Sequence, residues 1–138
     1  MPERRKKLAD RRGHFTQKVK IGGTRGPQCR TLYLSTDDET TPSELFLRVK
    51  QHNISSEVVG LYDTIARLVS LALQYNVPVE AIGKKLLRTR MLPAGPVVGD
   101  ARIKSCESTL DYVGRKLLVD CCGRDDLAQV PKYPEASP

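Results

Sequence analysis

The chain has 138 residues, 39% hydrophobic and 28% charged, with a formal net charge of +7. That length supports one domain with a real core rather than two. No apolar run reaches the 18 residues of a membrane helix, and no apolar segment follows the first charges as a secretory signal requires. The expected setting is therefore cytoplasmic.

Residues 1–13 read as a basic arm, expected to be disordered. Arg4, Arg5, Lys6, Lys7, Arg11 and Arg12 stand against Glu3 and Asp10, so about +4 of the charge lies there. Such an arm can touch phosphates without reading sequence. From Gly13, HFTQKVKI alternates an apolar row (Phe15, Val19, Ile21) with Thr16, Lys18 and Lys20, the period of a half-buried strand. Gly22 to Pro27 is a loop rich in residues that tolerate unusual backbone angles. A second strand, Cys29 to Ser35, places Leu32 and Leu34 opposite Thr31 and Tyr33. After a polar turn at Thr36 to Ser43, a third strand, Glu44 to Lys50, separates Leu45, Leu47 and Val49 from Phe46, Arg48 and Lys50. Short connections favour antiparallel pairing.

Ser55 to Tyr75 follows as the helix around which the rest is expected to pack. Val58, Leu61, Ile65, Leu68 and Ala72 form one face, and Val59, Tyr62, Val69, Leu71 and Leu73 fill much of the remainder, a pattern of burial on most sides. Asp63 and Arg67 are spaced to pair on its surface. Asn76 is placed to end it, and Pro78 to start a short helix through PVEAIGKKLLRT. MLPAGPVVGDAR reads as a loop, and Ile103 to Cys122 as a last helix with Cys106, Leu110, Val113, Leu117 and Cys121 on one face. Residues 123–138 have the polarity of a frayed tail. The fold class expected is α+β: a three-stranded antiparallel sheet followed by three helices packed on one face, in two layers.

Cys29, Cys106, Cys121 and Cys122 offer no C-x-x-C, and His14 and His52 lie far from any cysteine pair, so no metal site is expected. Vicinal Cys121 and Cys122 are a redox candidate, with small core residues the commoner reading. Tyr112, beside an apolar phase, is expected at the core's edge with its hydroxyl in water. Aromatics are sparse, and no stacking platform for single-stranded nucleic acid is visible. Two groups suit an anion. Lys20, Gly22, Gly23, Thr24 and Arg25 make a glycine-rich loop able to cradle phosphate, without the ending of a Walker sequence. Lys84, Lys85, Arg88 and Arg90, leading into Gly95, form a basic helix and loop suited to phosphate recognition. A nucleotide or other phosphate-bearing ligand between these groups is the functional expectation, against a solvated basic face beside a structural turn.

FTQKVKIGGTRG, then SELFLRVK, then ARLVSLALQYNVPVEAIGKKLLRTRMLPAG, then KSCESTLDYVGRKLL resembles, in that order over about residues 14–120, the TSCPD domain. That domain occurs at the C-terminal end of adenosylcobalamin-dependent (class II) ribonucleotide reductases and as small stand-alone proteins. Asn76 stands where the family often has Gly, Met91 where it has an aromatic residue, and Gln51 to Ser56 lacks its glycine-rich wording. The resemblance implies a TSCPD-like domain over residues 14–122 and an association with ribonucleoside-diphosphate reductase, hence with deoxyribonucleotide synthesis and DNA replication. The chain is too short for a reductase barrel and names no catalytic set, so an accessory or regulatory module is expected, not catalytic alone. Adenosylcobalamin is expected only through a related reductase. Alternative readings are a nucleic-acid-binding protein using the basic arm and the Arg-rich helix, and a module that oligomerises through its outer sheet face or last helix.

Overall fold

A computed structural model describes residues 13–22, 28–36, 41–50 and 54–130. Three strands come first: β1 (Gly13–Ile21), β2 (Gln28–Thr36) and β3 (Pro42–Lys50). β1 pairs antiparallel with β2 from Gly13↔Thr36 to Ile21↔Gln28, and β2 with β3 from Cys29↔Lys50 to Thr36↔Pro42. The alternation sorts their side chains as period two demands: Val19, Ile21, Leu32, Leu34 and Leu45 are buried, while Lys18, Lys20, Arg48 and Lys50 are exposed.

After α1 (Ser56–Gln74) and α2 (Val79–Leu86) the chain makes β4 (Gly95–Val98) and β5 (Ser105–Cys106), then α3 (Thr109–Cys122) and one 3₁₀ turn at Asp125–Leu127. The class is α+β, but the antiparallel sheet has five strands, in the order β3-β2-β1-β4-β5, rather than three. The two added strands lie in segments read as a loop and as helix. Val97 and Val98 align with Ile21 and Lys20, and Gly95 and Pro96 with Cys106 and Ser105. Four residues that include Gly and Pro carry no readable periodicity; the exposed edge of β1 supplies the hydrogen bonds that make them a strand. Cys106 is accordingly a buried strand residue beside Val19, Ile21, Val97, Ile103 and Tyr112, and α3 begins only at Thr109.

The core helix is α3, not α1. Ten of the 14 residues of α3 are buried. On α1 the face at Tyr62, Ala66, Val69 and Leu73 is inside, and Val58, Leu61 and Leu68 of the expected face are exposed. The reason is its position along the outer edge of β3. Ser70 Oγ accepts from Leu45 N–H (2.8 Å) and lies 3.0 Å from Leu45 O, and the Gln74 side-chain amide donates to Ser43 O (3.2 Å). The helix thus satisfies edge groups that would otherwise invite another strand. Ser55 caps its start, accepting from Val58 N–H. Asn76, at φ 65°, ends it with Asn76 N–H to Leu73 O and Val77 N–H to Ala72 O, the pairing that usually takes glycine. Asp63 and Arg67 pair at 3.4 Å on the exposed side.

Leu32, Leu34 and Leu45 meet Ala66, Val69, Leu73, Ile82, Val113 and Leu117, so all three helices share the core beneath the sheet. α2 crosses α3 at Gly83 and Gly114. A Cβ at Gly114 would lie 2.7 Å from Gly83 O, so only glycine lets the backbones approach this closely. Residues 123–130, read as part of a tail, return to the body: Gln129 and Val130 N–H both donate to Arg102 O (3.0 Å), and Arg115 donates to Leu127 O. No helix among the described residues is long and apolar enough to cross a membrane.

Candidate functional site

The segment Ser108-Thr109-Leu110-Asp111-Tyr112 opens α3 and is spent on structure. Ser108 is the N-cap, its Oγ accepting from Asp111 N–H (2.9 Å). Asp111, 0% exposed, accepts from Arg88 N–H through Oδ1 (2.6 Å) and from Glu107 N–H through Oδ2 (2.8 Å). One carboxylate therefore ties the end of α2 to the start of α3. Thr109 Oγ1 accepts from Arg30 Nε (2.9 Å), and the Arg30 guanidinium lies 5.9 Å from the Tyr62 ring centroid. Arg30 is buried between sheet and helices, and that burial pulls its pKa below the ordinary arginine value.

Tyr112, expected at the core's edge with a wet hydroxyl, is instead 1% exposed and donates to Asp100 Oδ2 (2.8 Å). Asp100 also accepts from Arg102 and Ile103 N–H, and Lys116 Nζ lies 3.0 Å from it. Burial by itself pushes the Asp100 carboxyl up. The amides of Ile103 and Arg102, the Tyr112 hydroxyl and the Lys116 ammonium outweigh that and hold it below its usual value. Burial and the adjacent Asp100 push the Tyr112 hydroxyl well up. Burial would lower Lys116, but Asp120 (2.8 Å) and Asp100 hold it above the ordinary lysine value. These groups form a hydrogen-bonded polar cluster centred on the buried Asp100.

Of the groups expected from sequence to bind an anion, the structure describes Lys20, Gly22, Lys84, Lys85, Arg88, Arg90 and Gly95. Gly22, at the end of β1, donates its N–H to Pro96 O (3.2 Å), which puts it beside Gly95. Arg90 precedes Met91, whose N–H donates to Glu107 O just past β5. Arg90 is 86% exposed and 3.6 Å from Glu107. Arg88 takes φ 64°, uncommon for a residue with a Cβ, and its N–H is the one fixed by Asp111. The backbone presenting Arg88 and Arg90 is thus held rigidly while both side chains reach solvent. Lys84 pairs with Glu80 (3.1 Å) on the exposed side of α2, and Lys85 is exposed next to it. Gly23, Thr24 and Arg25 lie outside the described residues.

Sequence reasoning missed a third basic surface. On the sheet's outer face, Lys18, Thr31 and Arg48 align across β1–β3, as do Lys20, Cys29 and Lys50. A shallow cleft of about 620 Å³ runs over Lys18, Thr31, Tyr33, Arg48 and Lys50. The basic rows were visible strand by strand; their register was not.

Cys106, Cys121 and Cys122 offer little thiolate. Burial pushes Cys106 and Cys121 up to about 11, with Asp111 and Asp120 respectively adding to it, and Cys122 is raised as well. This is the reverse of the setting that activates a thiol. Among the described residues no group of three His, Cys, Asp or Glu could hold a metal ion. The clefts among the described residues have mixed linings, Glu44, Phe46, Arg67 and Gln74 in one and Lys18, Cys29, Tyr33 and Arg48 in another.

No solved structure matches the chain significantly. Among curated proteins it is similar to the vitamin B12-dependent ribonucleotide reductases of Bradyrhizobium diazoefficiens (38% identity) and Agrobacterium fabrum (37%), each alignment covering 91% of this chain. The reductase of Rhodopirellula baltica is 33% identical over 83% of the chain. The chain spans about a tenth of the length of these relatives, the covered shares being 10%, 9% and 10%. The family model of the TSCPD domain matches residues 4–119, nearly the whole of the folded body, and the chain belongs to the TSCPD domain family.

Proposed function

We propose that this chain is an accessory or regulatory module of ribonucleotide reduction, acting beside a vitamin B12-dependent reductase and linked through it to deoxyribonucleotide synthesis. The observation that carries this reading is the TSCPD match over residues 4–119, a unit that much longer reductases reproduce at up to 38% identity. Binding rather than turnover is the role assigned, since Asp100, Asp111 and Tyr112 are engaged in buried structural hydrogen bonds and burial raises the Cys106 and Cys121 thiols. Adenosylcobalamin enters only through the reductase.

The ligand proposed is a nucleotide or another phosphate-bearing group. It would be held by Lys20, Gly22 and Gly95 together with Arg88 and Arg90, with Gly23, Thr24 and Arg25 also contributing and Lys84 and Lys85 adding positive field. Support comes from the Gly22–Pro96 hydrogen bond and from the Asp111 contact that fixes the Arg88 backbone. Melting the chain with ribonucleotides and deoxyribonucleotides tests it. A nucleotide at a hundred times its dissociation constant adds about 2.7 kcal/mol, and Arg88→Ala with Arg90→Ala is expected to abolish that gain. No rise with any nucleotide would remove the ligand. Failure to co-sediment with, or alter the turnover of, a B12-dependent reductase would remove the accessory role.

A further inference from the structure

We propose that the outer face of the sheet binds single-stranded nucleic acid, a function that does not rest on the reductase reading. The register builds three rows across β1, β2 and β3: Lys20–Cys29–Lys50, Lys18–Thr31–Arg48 and Thr16–Tyr33–Phe46. Alternate residues of a strand stand about 6.8 Å apart, so two rows of paired cations lead to a row with two neighbouring aromatic rings. Lys18, Lys20, Arg48 and Lys50 are exposed, and none makes an ion pair among the described residues. Phe46 is 48% exposed, and Tyr33 lines the long cleft with Lys18 and Arg48. The carboxylate that β3 carries on this side, Glu44, stands opposite Ser35, beyond the aromatic row from the cations.

Antiparallel sheets often leave one face to water, but a merely solvated face mixes its charges, because like charges close together on a sheet repel. Here four exposed cations stand in two adjacent rows with no ion pair among the described residues, beside aromatic rings that solvent alone does not favour. The cleft on this face, about 620 Å³ and lined by Lys18, Tyr33, Arg48 and Lys50, has room for more than a single small anion. In a duplex the base faces are already stacked on one another, and aromatic rings gain nothing from them. An unpaired strand supplies what the rows lack: phosphates for the lysines and Arg48, and free base faces for Tyr33 and Phe46.

The test is fluorescence anisotropy of the full chain with labelled single-stranded DNA and RNA of about 20 nucleotides, from 50 to 200 mM salt. Four phosphate contacts give a slope of about −2.8 in log affinity against log salt, a loss of roughly fiftyfold over that range. Lys18→Gln with Arg48→Gln halves the slope, to about −1.4. Tyr33→Leu weakens binding about tenfold and leaves the slope unchanged. Unaltered melting temperatures show that these variants are folded. Four results overturn the proposal: no binding at 50 mM salt; equal affinity for duplex of the same length; loss of binding on changing Arg4, Arg5, Lys6 and Lys7 to Gln but not on changing the sheet residues; or binding to anionic vesicles that the oligonucleotide cannot compete. A dimer by sedimentation that the sheet variants dissolve, with no oligonucleotide binding, equally overturns it in favour of a second copy on this face.

Discussion

Replacing Gly114 by Ala is expected to destabilise the protein although alanine is the better helix former. Gly114 sits within α3, where exchange for Ala in open space would gain about 1 kcal/mol. Its new Cβ would meet Gly83 O at 2.7 Å, Leu86 Cβ at 2.8 Å and Leu87 N at 2.9 Å. Two of these are backbone atoms of the opposing helix, so relief requires moving α2 rather than turning a side chain. That movement strains the Leu87 N–H to Gly83 O bond (2.9 Å) and the neighbouring Arg88 N–H to Asp111 contact. Overpacking costs typically 1–3 kcal/mol, and backbone neighbours put this site at the upper end. The net loss is then about 2 kcal/mol, or roughly 7 °C in melting temperature for a domain of this size. Gly83→Ala meets the Leu118 side chain first, at 2.7 Å from Cγ, and should cost less because that side chain can turn. Gly60→Ala is the control: nothing lies within 4 Å of its Cβ, so it should gain about 0.5–1 kcal/mol. Urea unfolding followed by circular dichroism, with unchanged m-values, measures all three. A Gly114→Ala protein as stable as the parent would refute the close crossing of α2 and α3.

Asp111→Ala should leave the part-buried Arg88 and Glu107 amides without their acceptor, a cost of about 1 kcal/mol each. Hydrogen exchange should accelerate at both amides first, and protection as in the parent would show that the carboxylate does not hold the loop. Stability should also depend on pH through Asp100, Tyr112 and Lys116. The Asp100 value is lowered on folding, so its contribution is full above about pH 4 and is lost as the pH falls through the folded value. Tyr112 and Lys116 are raised, so their contributions are full below about pH 10 and are lost as the pH rises further. Tyr112→Phe should lower the plateau by about 1.5–3 kcal/mol, the worth of a hydrogen bond to a charged group, and make the alkaline fall shallower. An alkaline limb of unchanged steepness would remove the tyrosine from that account.

The sequence alone determined what is local. Period-two alternation identified β1 to β3, because burial of one face writes itself into every second residue. Asn76 marked the end of α1, because capping is chemistry between neighbours in the chain. The residue order also carried the family, later matched over residues 4–119.

What needed the tertiary structure is whatever depends on a partner far along the chain. β4 is a strand because β1 offers it an open edge, and no periodicity in four residues could announce that. Two faces of α1 are apolar at helical spacing, and the choice between them was made by the edge of β3 through Ser70 and Gln74. Of the candidate rim, Arg88 and Arg90 were legible as charges, but the rigid turn that presents them hangs on Asp111, 23 positions away from Arg88. Tyr33 and Phe46 looked like isolated aromatics in a sparse sequence. Register alone sets them side by side, next to the paired cations of β1 and β3, because side chains on neighbouring strands meet only once the strands are aligned.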